Sequence, residues 1–179
     1  MRAFYGQSCG TAVDLGAEFP EYTRAACHIK GEFHSSQGKQ VERDNIGGWR
    51  DAGVYGRYVV NYGIRTLTLA WMWEVYGPKV KNIRLNVTES GNGTPDFLNE
   101  TRWNVERMLK MQDEDGGARH KQTSERFPGF VMPDDDHLPS EVIGTEQESL
   151  ERCGCELRDG TTGGERAGAG PDVCGKRAG

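Results

Sequence analysis

The first long hydrophobic stretch of the chain covers residues 58–76. It is longer than a normal strand, and Gly77 and Pro78, which commonly end helices, follow it directly. Its large apolar residues are Val59, Val60, Ile64, Leu67, Leu69, Trp71, Met72 and Val75. We therefore predict a helix that ends near Gly77 and is buried on most sides.

A second helix is predicted after Thr94-Pro95-Asp96. Threonine can cap a helix, proline fits the first turn, and an aspartate complements the positive end of the helix dipole. The apolar face that follows comprises Leu98, Val105, Met108 and Leu109 with Gln112, widened by Phe97 and Trp103. Two long helices joined by a loop make a helical hairpin, which favours an all-α fold.

The rest of the chain lacks a sustained period. Residues 4–46 are predicted to be irregular, residues 80–87 an extended connection, and residues 120–136 a loop. After Phe130 there is no aromatic residue, and residues 154–179 contain eight glycines. We interpret residues 146–179 as a disordered tail, either an out-of-frame or truncated reading or a natural linker, and residues 1–145 as the folded part.

The composition of the chain argues against some classes of binding partner and against a membrane-spanning protein. A chain of 179 residues is sized for one domain, and its net charge of −5 argues against a nucleic-acid or anionic-membrane partner. The 35% hydrophobic content is low, and no apolar run reaches the roughly 18 residues that a membrane span needs. No apolar signal region follows Met1, so the protein is either cytoplasmic as written or lacks an upstream export signal.

The stretch with the clearest chemical pattern is GGWRDAGVYGRYVV, residues 47–60. It places Asp51 between glycines and aromatic residues, which fits a carboxylate at the rim of a sugar-sized cleft. The alternative is structural, because acidic residues beside glycine also close turns and cap helices.

This stretch resembles the aspartate signature of glycoside hydrolase family 9, the cellulase and endoglucanase family. Three more blocks agree with that family in order and spacing: FYGQSCGTAVDL (residues 4–15), ESGNGTPDFLNE (residues 89–100) and HKQTSERFPGFVMPDDD (residues 120–136). The resemblance covers residues 3–145. It implies the N-terminal portion of a secreted β-1,4-glucanase whose all-α fold is a barrel of six helical hairpins, here partial, with long loops.

The resemblance also implies inverting hydrolysis of cellulose or a related β-glucan, without a cofactor for catalysis. Asp51 matches the first signature aspartate, which holds the attacking water, but the position of the catalytic base is Val54. Valine cannot accept a proton. The family's general acid is a glutamate further downstream, and no residue here is assigned to that role. We therefore expect this chain to be inactive by itself.

Two thiols and an imidazole suit tetrahedral zinc, and the chain offers Cys9, Cys27 and His28. The resemblance implies that some family 9 enzymes bind a structural zinc through the positions of Cys9, Cys27 and His28 and through a histidine just before the signature aspartate. This chain has Arg50 at that fourth position. His34 or water could be the fourth ligand. A Cys9–Cys27 disulfide and two free thiols are the alternatives.

A calcium site is the second metal prediction. Calcium takes about six to eight oxygen ligands, and the glycine-rich turn at residues 89–96 offers Glu89, Asn92 and Asp96. The resemblance places a structural calcium in the matching segment of some members. A helix N-cap with a turn explains the same residues.

The expected partner is a β-glucan polysaccharide or oligosaccharide. Its predicted contacts are Trp49, Tyr55, His120, Lys121 and Phe127, since aromatic rings stack on sugars and imidazole and ammonium groups bind hydroxyls. A core role is the alternative for each aromatic residue. The rival function is a noncatalytic, metal-stapled carbohydrate-binding or interaction module.

Overall fold

The structure, a computed structural model, describes residues 1–34, 42–114, 116–124 and 126–144. The predicted disordered tail, residues 146–179, lies outside the described residues. The helices are α1 (Arg2–Gly6), α2 (Val59–Val80) and α3 (Asp96–Lys110), and short 3₁₀ turns occur at Gly16–Glu18, Pro20–Tyr22 and Ala52–Val54. The strands are β1 (Lys30–Phe33), β2 (Glu42–Asp44), β3 (Arg57–Tyr58), β4 (Lys121–Ser124) and β5 (Ser140–Ile143).

The five strands form one mixed sheet in the order β2-β1-β5-β4-β3. Strand β1 runs parallel to β5, with Glu32 opposite Glu141, and the other neighbouring strands are antiparallel. Gln122 of β4 lies between Arg57 of β3 and Val142 of β5. The sheet therefore joins the N-terminal third of the chain to residues 121–143.

The prediction of an all-α fold, a partial barrel of helical hairpins, is wrong. The described fold is mixed α/β, because segments predicted to be irregular or loop pair as strands. Strand β4 lies in the predicted loop at residues 120–136, and β5 lies just before the predicted tail, where the sequence showed no regular element. Strands of two to four residues are too short to show a period of two in the sequence.

Both predicted helices are present, with shifted ends. Helix α2 continues past Pro78 to Val80; a proline this close to the end removes only one late backbone donor. Helix α3 begins at Asp96 with Pro95 as its N-cap, so the prediction that Thr94 caps it is wrong. The Thr94 amide instead donates to Asn92 Oδ1 at 2.8 Å.

Helix α2 is buried on one side only, so the prediction of burial on most sides is wrong. Tyr62, Leu69 and Val80 face the interior. The opposite side exposes a continuous stripe in which each side chain is 56–70% accessible: Val60, Ile64, Leu67, Trp71 and Val75. In the part of the chain that the structure describes, none of the helices combines the length and the hydrophobicity of a membrane span.

This exposed stripe predicts self-association, because contiguous apolar patches of this kind drive contacts between copies of a protein. Leu67→Lys should shift the chain from larger species towards monomer, which light scattering after size exclusion would measure. Ala70→Lys adds the same charge at an exposed position beside the stripe and should shift the distribution less. Equal shifts in the two variants would attribute the effect to charge alone.

Two small clusters form the core. Tyr5 and Val13 pack against Leu85 and Val87, which belong to the connection between α2 and α3. The second cluster contains Trp49, Leu69, Val80 and Phe97. Since Trp49 belongs to the segment before α2, this cluster packs residues 47–51 against both long helices. The packing fixes the position of Asp51.

Candidate functional site

Asp51 lies at the start of a tight turn that leads into α2. Its backbone amide donates to the Gly56 carbonyl at 2.9 Å, closing a loop around the 3₁₀ turn Ala52–Val54. Ala52 and Tyr55 both have positive φ, 49° and 54°, in the left-handed region that residues other than glycine rarely adopt. Backbone strain of this kind is concentrated at functional sites in proteins.

Two side chains from the first turns of α2 hold the Asp51 carboxylate. Arg65 donates to Oδ1 at 3.1 Å, and the Asn61 amide donates to Oδ2 at 3.4 Å. The Asp51 side chain is 37% exposed, so the carboxylate keeps access to water while its orientation is restrained. A carboxylate of this kind can accept a hydrogen bond from a water molecule and orient it.

Val54 ends the same 3₁₀ turn and carries no atom that could accept a proton. The turn therefore presents one carboxylate, Asp51, where the signature that it resembles has two.

Tyr55 links the turn to the loop at residues 126–138, since its hydroxyl donates to the Val131 carbonyl. Val131 also lines an open cavity of about 430 Å³, together with Phe127, Asp135 and His137. This volume lies in the range typical of small-ligand sites. The exposed Phe127 ring could stack on a sugar at its rim.

The other predicted sugar contacts lie apart from this cavity. The His120 ring packs edge-on against Tyr58 with centroids 6.1 Å apart, and Lys121 is in β4 opposite Tyr58. Both are partly buried beside the start of α2. Trp49 is completely buried, and its indole donates to Glu100 at 2.5 Å, so the structure gives Trp49 a core position.

The thiols lie where three segments meet. The Cys9 amide donates to the Gly48 carbonyl, and the Gly10 amide donates to the Cys27 carbonyl. Gly10 has a φ of 82°, and a Cβ there would come within 2.7 Å of the Ile46 backbone, so this approach requires glycine. Cys9 and Cys27 are both free thiols in the structure.

Two buried arginines surround the Cys27 sulfur. Arg50 donates to Cys27 Sγ at 2.6 Å and to the Ser8 carbonyl at 3.3 Å, and its guanidinium lies 5.6 Å from the centre of the Tyr55 ring. Arg24 donates to the Ser8 carbonyl and lies 3.9 Å from the same sulfur. Burial raises the pKa of the Cys27 thiol, and the positive charge of Arg50 opposes that rise.

His28 is oriented by a carboxylate from a distant part of the chain. Its Nε2 lies 3.1 Å from Asp136 Oδ2, and both side chains are almost completely buried. Burial lowers the pKa of His28, and the hydrogen bond to Asp136 opposes the shift. The other ring nitrogen, Nδ1, is buried and has no hydrogen-bond partner among the described residues.

Comparison with known protein families identifies the relatives of this chain. Residues 1–151 match the sequence model of glycosyl hydrolase family 9. The chain belongs to glycosyl hydrolase family 9. The resemblance carried by the four sequence blocks is thereby confirmed.

Individual relatives support the family 9 assignment. Endoglucanase D of Acetivibrio thermocellus is 34% identical over 140 residues, which are 76% of this chain and 22% of that protein. A xyloglucan-specific endo-β-1,4-glucanase of Bacteroides ovatus is 43% identical over 89 residues, 49% of this chain and 15% of that protein. The crystal structure of a metagenome-derived family 9 endoglucanase aligns with a TM-score of 0.72 and 33% identity, over 80% of this chain and 26% of that one. The chain thus spans about a quarter or less of the length of these relatives.

The zinc site implied by family 9 has Arg50 at the position of its fourth ligand, and it stays a prediction. No group of three or more histidine, cysteine, aspartate or glutamate residues in the described part of the chain is arranged to hold a metal ion. Arg50 contacts Cys27 directly, and the His34 ring, the suggested fourth ligand, lies 4.0 Å from the Glu141 carboxylate instead.

The residues proposed for calcium make protein contacts. Asp96 accepts the Leu85 amide at 2.7 Å, and Asn92 accepts the Thr94 amide and pairs with the Asn99 amide. Glu89 contributes its backbone carbonyl to Asn99. These contacts match the turn alternative, and the calcium site stays a prediction.

Sequence reasoning missed four residues of this region. Asn61 and Arg65 are four residues apart in a predicted helix, so their common face was readable, although its orientation towards Asp51 was not. Arg24 carries no local signal. Asp136 ends the segment predicted to be a loop, residues 120–136, yet it is buried against His28.

Proposed function

We propose that this chain is the N-terminal part of an inverting β-1,4-glucanase of family 9, acting on cellulose or a related β-glucan. The observation that carries the proposal is Asp51: a partly exposed carboxylate in the family signature, held by Arg65 and Asn61. Its turn contacts an open cavity through the hydrogen bond from Tyr55 to Val131. Secretion belongs to the same proposal, since the family resemblance implies it.

Inverting hydrolysis needs two carboxyl groups about 6.5–9.5 Å apart, one protonating the leaving oxygen and one activating a water on the other side of the sugar. Asp51 would accept a hydrogen bond from that water and orient it. Val54 cannot remove its proton, and no described residue is assigned the role of the acid. We therefore expect no measurable hydrolysis by the 179-residue chain alone.

A noncatalytic carbohydrate-binding module is the second candidate. It is favoured by Val54, which is apolar at the base position, and by the ion pair between Asp51 and Arg65, which satisfies the carboxylate without substrate. Under this reading, the aromatic rim near Phe127 binds glucan and no bond is cleaved.

A restored base separates the two candidates. The chain is fused to the downstream part of a family 9 endoglucanase, and sugar release from a soluble β-glucan is measured for the fused chain, Val54→Asp and Val54→Asn. A general base contributes on the order of 10²–10⁴ in rate, so Val54→Asp should exceed the fused chain by such a factor. Val54→Asn should give no such increase in rate, because asparagine has the shape of aspartate but is not basic.

Glucan binding by the same proteins completes the test. Fused Val54→Asp that binds glucan without cleaving it would support the noncatalytic module and reject the enzyme. Adding Asp51→Asn to an active fused Val54→Asp protein should reduce the rate strongly and leave the melting temperature nearly unchanged, since Asp51 is partly exposed and its ion pair is worth about 1 kcal/mol or less.

A further inference from the structure

The pocket around Cys27 contains a positively charged side chain of the protein. The Arg50 guanidinium is buried, contacts Cys27 Sγ and the Ser8 carbonyl, and faces the Tyr55 ring. It therefore joins the segment before α2 to both cysteine-bearing segments. These are the segments that a metal bound to Cys9, Cys27 and His28 would also join.

His28 is already arranged as a metal-binding histidine usually is. In metal sites, one ring nitrogen binds the ion and the other donates to a carboxylate that fixes the ring. Here Asp136 holds Nε2, and the buried Nδ1 is left without a partner among the described residues. The Cys27 thiol, the His28 imidazole and its orienting carboxylate are all present. The group that contacts the thiol, however, is the guanidinium of Arg50.

We propose that Arg50 takes the place of a metal ion in this pocket, and that a histidine at position 50 would allow a zinc-type ion to bind there instead. Arginine is permanently charged and has no lone pair to offer, so it can satisfy Cys27 and Ser8 but cannot ligate an ion. Arg24, 3.9 Å from the same sulfur, adds a second positive charge that opposes metal entry. Histidine at position 50 would supply a fourth ligand and remove the obstructing charge.

Metal titration of the full chain tests this inference. All proteins carry Cys153→Ser, Cys155→Ser and Cys174→Ser, so that Cys9 and Cys27 are the only thiols. Cobalt(II) is the probe because thiolate ligation gives it an intense charge-transfer band, and zinc then displaces it. The variants are Arg50→His and Arg50→Met, with Arg43→His as a control that adds a histidine away from the thiols.

Arg50→His should bind about one equivalent of cobalt with the thiolate band, and its melting temperature should rise with zinc and fall with a chelator. The chain with Arg50 and the Arg43→His control should bind well below one equivalent and melt independently of chelator. Stoichiometric zinc in the chain with Arg50 would overturn the proposal, and so would a folded Arg50→His protein without metal.

A second measurement applies if Arg50→His fails to fold even with zinc. Removing the guanidinium in Arg50→Met should slow alkylation of Cys27 in the native protein by about tenfold, since the positive charge that favours the thiolate is lost while methionine still fills the space beside the sulfur. An unchanged rate in folded Arg50→Met would overturn the proposal. The result is independent of glucanase activity, because neither readout uses a glucan.

Discussion

Glu100→Gln is expected to stabilise the chain above pH 7 by up to about 3 kcal/mol and to flatten its stability profile between pH 4.5 and 7. Glu100 is buried in α3, and burial raises its pKa to about 7 from an ordinary value of 4.5. The hydrogen bond from Trp49 opposes this rise, and the nearby charge of Glu89 adds to it.

The sign follows from proton binding. Between pH 4.5 and 7 the folded chain keeps the Glu100 proton while the unfolded chain releases it, so the free energy of unfolding falls as pH rises. The contribution is complete below pH 4.5 and lost at about pH 7. Glutamine stays neutral at every pH and retains an oxygen for the Trp49 indole, which donates to Glu100 at 2.5 Å.

Urea unfolding at pH 5 and pH 8 measures the effect. The unsubstituted chain should lose more free energy of unfolding between these pH values than Glu100→Gln does. Glu106→Gln is the matched control, since Glu106 lies on the same helix with a side chain that is 47% exposed. Parallel pH profiles for the unsubstituted chain and Glu100→Gln would show that Glu100 ionises normally.

Trp49→Ala is expected to lower the free energy of unfolding by about 3–5 kcal/mol, a large part of the roughly 5–15 kcal/mol that stabilises an ordinary domain. Trp49 is completely buried between the two long helices and packs on Phe4, with ring centroids 4.5 Å apart. Alanine would leave a cavity and remove the donor from the buried Glu100 carboxyl.

Thermal or urea unfolding measures the loss, and Trp71→Ala provides the comparison. Trp71 is 67% exposed on the outer side of α2, so its removal should change stability by no more than about 0.5 kcal/mol. Similar losses in both variants would place Trp49 outside the core. A large loss of stability only in Trp49→Ala would show that the Trp49 side chain anchors the turn that carries Asp51.

The geometry at residues 49–51 separates three roles in consecutive positions. Trp49 points into the core, Arg50 into the thiol pocket, and Asp51 towards solvent and Arg65. One short segment therefore couples the stability of the helical pair to the position of the candidate catalytic carboxylate.

The two long helices, the family and the chemistry of the signature could all be predicted from the amino-acid sequence. Helices are readable because the contacts that shape them are three or four residues apart, so the apolar run before Gly77 and the one after Pro95 carry their own signal. Family membership was readable from four ordered blocks. The identity of residues 51 and 54 also needs no structure: one is a carboxylate and the other is not.

The sheet and the surroundings of each site residue became visible only in the three-dimensional fold. Strands β1, β4 and β5 are four residues long and find partners far along the chain, so no local period marks them. His28 meets Asp136 across 108 positions in the sequence. The physical reason is common to both: strand pairing and buried polar contacts depend on which distant segments meet, and local sequence periodicity carries no information about that.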